Sequence, residues 1–371
     1  MKKYFLLLFA LCFLSGCASD PQLPDFSSSE YLEDYDQPNS NLVYTFLPTK
    51  ERYYGSNSKG FLYFSEKESM KWMPLCGKTQ CEHNDMDCES YIGKTFLLGQ
   101  YGEQLIYGSY DSLYDTYPTY RICSMNLDGS KHKVIWEMEG KNDVSLKGAV
   151  HRGNVFFSFT GTQTDSQEIY VLDLANIKKG ETCIFQGSGS AAFWGIGPVM
   201  NIQILTSDGI SLYQYQITEN TVQELNINEL SEAWDIRYCR DGSIMYSLHN
   251  GIHRINPQTW EDHIIAEIDE SSYYADDDML YVYGENGTDG YALDFRSGKT
   301  VPFTYPIEEA VKIMGTDQSN IFVWDTTETF TMLPEWFMKK SDLLEGKREW
   351  YPIEIYQKAE FNQYMVGKGN Q

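Results

Sequence analysis

From Leu42 onward, apolar and polar positions alternate with a period of two, and short clusters of turn-forming residues interrupt the alternation. Period two puts successive side chains on opposite faces of a pleated strand, so each run reads as a half-buried β-strand. Aromatic and β-branched residues fill the runs, with 28 tyrosines in the chain, and apolar stripes at helical spacing are scarce. The interruptions include Asp128-Gly129, Asp208-Gly209, Asp241-Gly242, Asn250-Gly251 and Asn286-Gly287. Such pairs tolerate the positive φ that tight hairpins require. The pattern predicts an all-β chain of hairpin-connected strands.

These strands group into units of about 35–50 residues, a spacing that marks repeat architectures. The sharpest unit spans Ser271 to Tyr305, with strands predicted at Ser271–Ala275, Met279–Tyr283, Tyr291–Phe295 and Thr300–Thr304. The unit before it repeats the plan at Ala233–Cys239, Ser243–His249, Ile252–Asn256 and His263–Glu267. Others open near Phe96, Ser145 and Ala191, a looser one opens at Leu42, and a last one near Glu309 is interrupted by Pro334–Arg348. A lone four-stranded meander cannot bury both faces, so repeated copies stack as blades around an axis. The expected fold is a single β-propeller of about seven four-stranded blades, with six or eight as the neighbouring counts. It would occupy residues 42–360, with a tail at 361–371 and Leu42–Phe46 as a clasp on the last blade. Two smaller β domains or a sandwich are the alternative, against which no linker-like stretch divides the chain after residue 41.

The amino terminus has a different pattern. Lys2 and Lys3 precede an apolar run from Tyr4 to Phe13, too short to span a bilayer, which leads into Leu14-Ser15-Gly16-Cys17. This resembles the lipobox of bacterial lipoproteins. The resemblance implies a signal peptide over residues 1–16, removed by cleavage, and acyl chains of the palmitate type on Cys17. Residues 17–41 would then be an acidic tether. Ala18 to Asn41 contains six Asp and Glu, three prolines and no Lys or Arg, too little apolar surface to offset ordering. As a coil its 24 residues would reach roughly 25–30 Å. The expected location is the extracytoplasmic face of the cell membrane, with the lipid anchor as the membrane contact.

Charge narrows the partners. The chain carries 29 Lys and Arg against 53 Asp and Glu, and loss of Lys2 and Lys3 with the leader brings the formal charge from −24 to −26. That field repels nucleic acid and anionic headgroups, so nucleic acid is excluded as a partner and attachment falls to the lipid. No later stretch approaches eighteen consecutive apolar residues, so no second anchor is expected.

One segment is chemically specialised. Residues 74–91 form an insert between the first two units, and Cys76, Cys81, His83 and Cys88 place three thiols and an imidazole within it. Three readings stay open. The four residues can bind one structural zinc, which would staple a loop lacking its own core. Two of the thiols can instead form a disulfide, as suits an exported protein, leaving an odd thiol for Cys123. Or the thiols are unlinked. A catalytic Cys81–His83 pair lacks a third group to orient the imidazole. The segment Pro-Leu-Cys-x4-Cys-x-His-x4-Cys, the lipobox, the Tyr-rich units and Met338-Lys339-Lys340-Ser341-Asp342 together resemble exported lipoproteins of anaerobic Gram-positive bacteria with propeller repeats. The resemblance implies architecture and location, not an activity.

Other constellations read as structure. His249 and His253 flank a predicted Asn250-Gly251 turn, which directs them to opposite faces; His253 is expected in the core and His263 in solvent. Asp276-Asp277-Asp278 and Asn126-Leu127-Asp128-Gly129-Ser130 read as turns, the former solvated. Cys123, Cys183 and Cys239 read as small apolar fillers, and most of the eight tryptophans as blade packing. Gly187-Ser188-Gly189-Ser190 is a connector without nucleotide-site context, and no P-loop, zincin or nucleophile-elbow motif occurs. The expectation is a membrane-anchored binding or scaffold propeller for a protein, peptide or glycan. A carbohydrate-active hydrolase or lyase with carboxylates lining the channel is the alternative.

Overall fold

The computed structural model describes residues 45–356, apart from 79–80, 111–117, 141–143, 226, 228–229, 231–232, 234–235, 240, 257–258, 260, 268–272, 284–288, 307–310 and 327–331. The leader, Cys17, the tether, residues 42–44, the Asn286-Gly287 turn, Trp234, Trp260 and the tail lie outside the described residues.

Seven antiparallel sheets follow one another along the chain, at 46–74, 94–139, 144–188, 190–225, 237–266, 273–304 and 311–352 (blades 1 to 7). Each is a four-stranded meander in chain order. First strands of blades 1 to 5 contact one another in turn, and that of blade 7 meets that of blade 1. The first strands therefore ring an axis, and the fold is a seven-bladed β-propeller. The strands expected at Met279–Tyr283 and Thr300–Thr304 occur residue for residue. The units opening near Phe96, Ser145 and Ala191 begin with Lys94–Tyr101, Val144–His151 and Ser190–Ile196.

The core is a series of apolar seams between blades. Ile106, Tyr120 and Trp136 of blade 2 pack with Leu146, Val155 and Phe157 of blade 3. The rings of Trp136 and Phe157 meet at 5.0 Å. Near the axis the backbones approach most closely. A β-carbon on Gly99 would strike Val150, and one on Gly195 would strike the His151 ring.

The clasp expected at Leu42–Phe46 falls largely outside the described residues; its Phe46 opens Phe46–Pro48, the first strand of blade 1, which pairs with Arg52–Ser56. The clasp comes from the other end of the chain: Glu354–Ile355 adds in parallel to Lys71–Pro74, the fourth strand of blade 1, opposite Lys71 and Trp72. The physical reason is an open outer edge on blade 1 beside an apolar seam that takes Ile353 and Ile355 against Trp72. Trp72 Nε1 also donates to the Pro334 carbonyl at 3.0 Å. Blade 7 is complete without help, because Trp336–Lys339, inside the segment read as an interruption, is its third strand. Only the short helix Lys340–Leu344 and the turn after it intervene before Tyr351–Pro352.

Three local readings are refined. Leu248 pairs with Gly251, so the hairpin turn is His249-Asn250, one residue earlier than the dipeptide suggested. Gly251 is held in the strand because a β-carbon there would strike the Ala266 carbonyl. His253 is buried as expected, bonded to Asp262 and Asn250 at 2.9 Å each, while His249 and His263 are exposed. Cys123 and Cys239 fill seams, but Cys183 is exposed because it sits on the fourth, outward strand of blade 3. Asp276 belongs to a turn yet points inward: its Oδ2 pairs with Lys340 Nζ at 2.8 Å, both side chains largely buried.

Candidate metal centre

The insert is laced to blade 1 at both ends by backbone hydrogen bonds. The Leu75 N–H donates to Leu62 O, the Leu62 N–H to Ser90 O, and the Ile92 N–H to Gly60 O. Between these points the chain has little to bury, and Met86 at its tip is 75% exposed. Local turns shape it instead: Cys81 N–H donates to Lys78 O, Cys88 N–H to Asp85 O, and Lys78 Nζ to Asp87 O. His83 takes φ 54°, a left-handed conformation uncommon outside glycine.

These turns bring together the four residues singled out in the sequence. The ligand atoms of Cys76, Cys81, His83 and Cys88 lie within 4.8 Å of one another. His83 Nδ1 is 3.4 Å from Cys88 Sγ. Bond lengths to tetrahedral zinc imply donor separations of about 3.5–3.8 Å, so the cluster is already close to a ligating shape. Three sulfurs and an imidazole form a soft donor set, suited to zinc over hard cations. No disulfide joins Cys76, Cys81 and Cys88 to one another or to Cys123, Cys183 or Cys239.

Cys88 is the buried member of the set. Cys88 is only 3% exposed, and burial above all, with Cys81 and Cys76 adding to it against a hydrogen bond from Ser90, pushes its thiol up to about 12. A metal bound there would have to displace that proton, so its binding would weaken as pH falls. The His83 ring meets Tyr356 edge-on at 6.3 Å. Tyr356 directly follows the clasp strand and its N–H donates to Trp72 O, so the cluster backs onto the ring closure. On its other side a cavity of about 420 Å³ separates Cys88, Glu89 and Tyr91 from the turn 129–132 of blade 2.

A second feature escaped the sequence reading. The seven first strands contain Lys94, Lys147, Arg237 and Lys312 but no Asp or Glu. Their charge sign opposes that of the whole chain. Only the sorting of strands into inner and outer positions makes this visible.

No known protein family matches the chain by sequence, and no curated protein does. Solved structures match through shape. One from a study of two prolyl endopeptidases has a TM-score of 0.58 at 12% identity, covering 91% of this chain and 53% of that one. A puromycin-hydrolyzing peptidase of Mycobacterium tuberculosis gives 0.48 at 13% identity, covering 70% and 44%. YCF48 bound to D1 peptide gives 0.49 at 11% identity, covering 81% and 94%. The chain spans roughly half the length of the first two, and the likeness is one of fold.

Proposed function

We propose that this chain is a lipid-anchored, extracytoplasmic binding or scaffold propeller whose Cys76, Cys81, His83 and Cys88 hold one structural zinc. The observation that carries the metal assignment is the convergence of four soft donors within 4.8 Å on a loop that has no core of its own. The metal's role is to fix the joint between blades 1 and 2 beside the clasp, much as structural zinc replaces a missing core elsewhere. Acyl chains on Cys17 supply the membrane contact, and the ligand is a protein, peptide or glycan of the envelope. Binding is favoured over a carbohydrate hydrolase or lyase because the first strands, which wall the channel, offer no carboxylate pair among the described residues.

Full-length protein purified without chelators should contain one zinc per chain. It should show three fewer reactive thiols than after acid release of the metal. Cys81→Ser should lower zinc content to near zero. A metal-free protein with freely reactive Cys76 and Cys81 would refute the assignment.

A further inference from the structure

The seam between blades 3 and 4 holds a lysine with no carboxylate partner among the described residues. Lys147 lies in Val144–His151, the first strand of blade 3, and its Nζ donates to Ser190 Oγ at 3.1 Å. Ser190 is the first residue of blade 4. It reaches this position because blades 3 and 4 are joined by Gly189 alone, at φ 115°, where a β-carbon would strike the Leu205 carbonyl. The Gly187-Ser188-Gly189-Ser190 run thus builds the pair.

Two other lysines of the ring have carboxylate partners: Lys67 pairs with Asp317 and Lys340 with Asp276. No carboxylate among the described residues pairs with Lys147, and burial holds its ammonium below the usual lysine range. Two serines flank it, Ser190 as its hydrogen-bond partner and a second across the ladder. Ser158 stands directly opposite on the second strand of blade 3, fully buried, and its Oγ has no hydrogen-bond partner. Opposed residues of a ladder share a face, with β-carbons about 5 Å apart. In a chain with 53 acidic residues, a half-buried cation bonded to a serine hydroxyl leaves its charge for something else.

The surrounding wall has the same sign. Arg237 is committed, packed over the rings of Tyr273 and Tyr274, but Lys94 and Lys312 are exposed on other first strands. The acidic exterior acts against a large polyanion. It matters less for a small ligand inside the channel, because free charges are screened over about 8 Å at physiological salt.

We propose, building on the binding-propeller reading, that Lys147 and Ser190 form a subsite for a single carboxylate of a small ligand. An ammonium has three donors; one goes to Ser190 and two remain for the carboxylate. The Ser190 oxygen accepts from Lys147, which leaves its own hydrogen for the same anion. Either an acidic sugar or a peptide carboxyl terminus supplies this group.

Calorimetric titration of the full chain separates the sources. Galacturonate is compared with galactose, and acetyl-Ala-Ala with its carboxamide. At least one acid should bind about tenfold or more tightly than its neutral counterpart, the scale of a hydrogen-bonded charge. Lys147→Met should abolish that preference, Lys147→Arg should retain most of it, and Ser190→Ala should reduce it a few-fold. Lysine side-chain NMR should show the Lys147 pKa rising as the acid binds, a response that a purely structural Lys147–Ser190 contact would not give. Absence of binding by both acids at roughly 20 mM would overturn the subsite, as would an undiminished preference in a folded Lys147→Met protein. If an envelope partner is captured equally by wild type and Lys147→Met, the subsite falls while the binding reading stands.

Discussion

Asp317 ties the last blade to the first. Its Oδ2 accepts from the Tyr53 hydroxyl at 2.6 Å and from Lys67 Nζ at 3.3 Å, and its Oδ1 accepts the Ser319 and Asn320 N–H groups. Burial works to raise its pKa, but the Tyr53 and backbone hydrogen bonds with the Lys67 charge hold it below the usual carboxylate range. A depressed native pKa means the stabilisation is complete above the unfolded value near 3.9 and is lost as pH falls through the native one. Asp317→Asn should therefore cost about 2 kcal/mol at pH 7, a figure reduced for the partly exposed Lys67, and the gap from wild type should narrow toward pH 3 in urea titrations. An equal loss at both pH values would speak against the ionic contribution. Asp276 makes the parallel link from blade 6 to Lys340 of blade 7. The sequence marks Asp276 as a turn aspartate, but its partner, like those of Asp317, lies on the following blade. No local pattern distinguishes an inward carboxylate from a solvated one.

At the level of strands and loops, the hairpin units were legible because each strand pairs with its sequence neighbour and alternation records the buried face directly. The closing strand was not, since Glu354 and Lys71 meet across most of the chain. Trp336–Lys339 was hidden because Pro334 and the polar run after it break the alternation. The Cys/His cluster was legible as composition, from thiol and imidazole spacing. Its convergence depends on the lacing of Leu75, Ser90 and Ile92 to blade 1, which spacing does not encode. The clasp should draw its strength from packing. Ile353→Ala should cost about 2–4 kcal/mol in thermal or denaturant unfolding, as for other buried branched side chains. Lys71→Ala, which removes an exposed pair with Glu354, should cost less than about 1 kcal/mol. The reverse ranking would place the closure energy in the ion pair.

For the molecule as a whole, a formal charge of −24 is set against first strands bearing only basic ionisable side chains apart from His151 and tyrosines, so global composition and local chemistry point in opposite directions. Charge counting reads the exterior well and misses the channel. Under the proposed lipid anchoring, the same acidity leaves attachment to an anionic membrane to Cys17. Cys17→Ala should shift the protein from the membrane pellet to the soluble fraction almost entirely, and retention in the pellet after a carbonate wash would exclude acylation as its cause. The clasp also bears on how the protein is made. The outer edge of blade 1 is synthesised early, yet Glu354 and Ile355, which cover it, follow only after blades 2 to 7. Until then the first sheet has a bare margin, and pairing so distant in sequence is slow to form. Ring closure must therefore wait for residues 354–355, and a protein truncated before residue 353 would stay an unfinished ring exposed to proteases and chaperones.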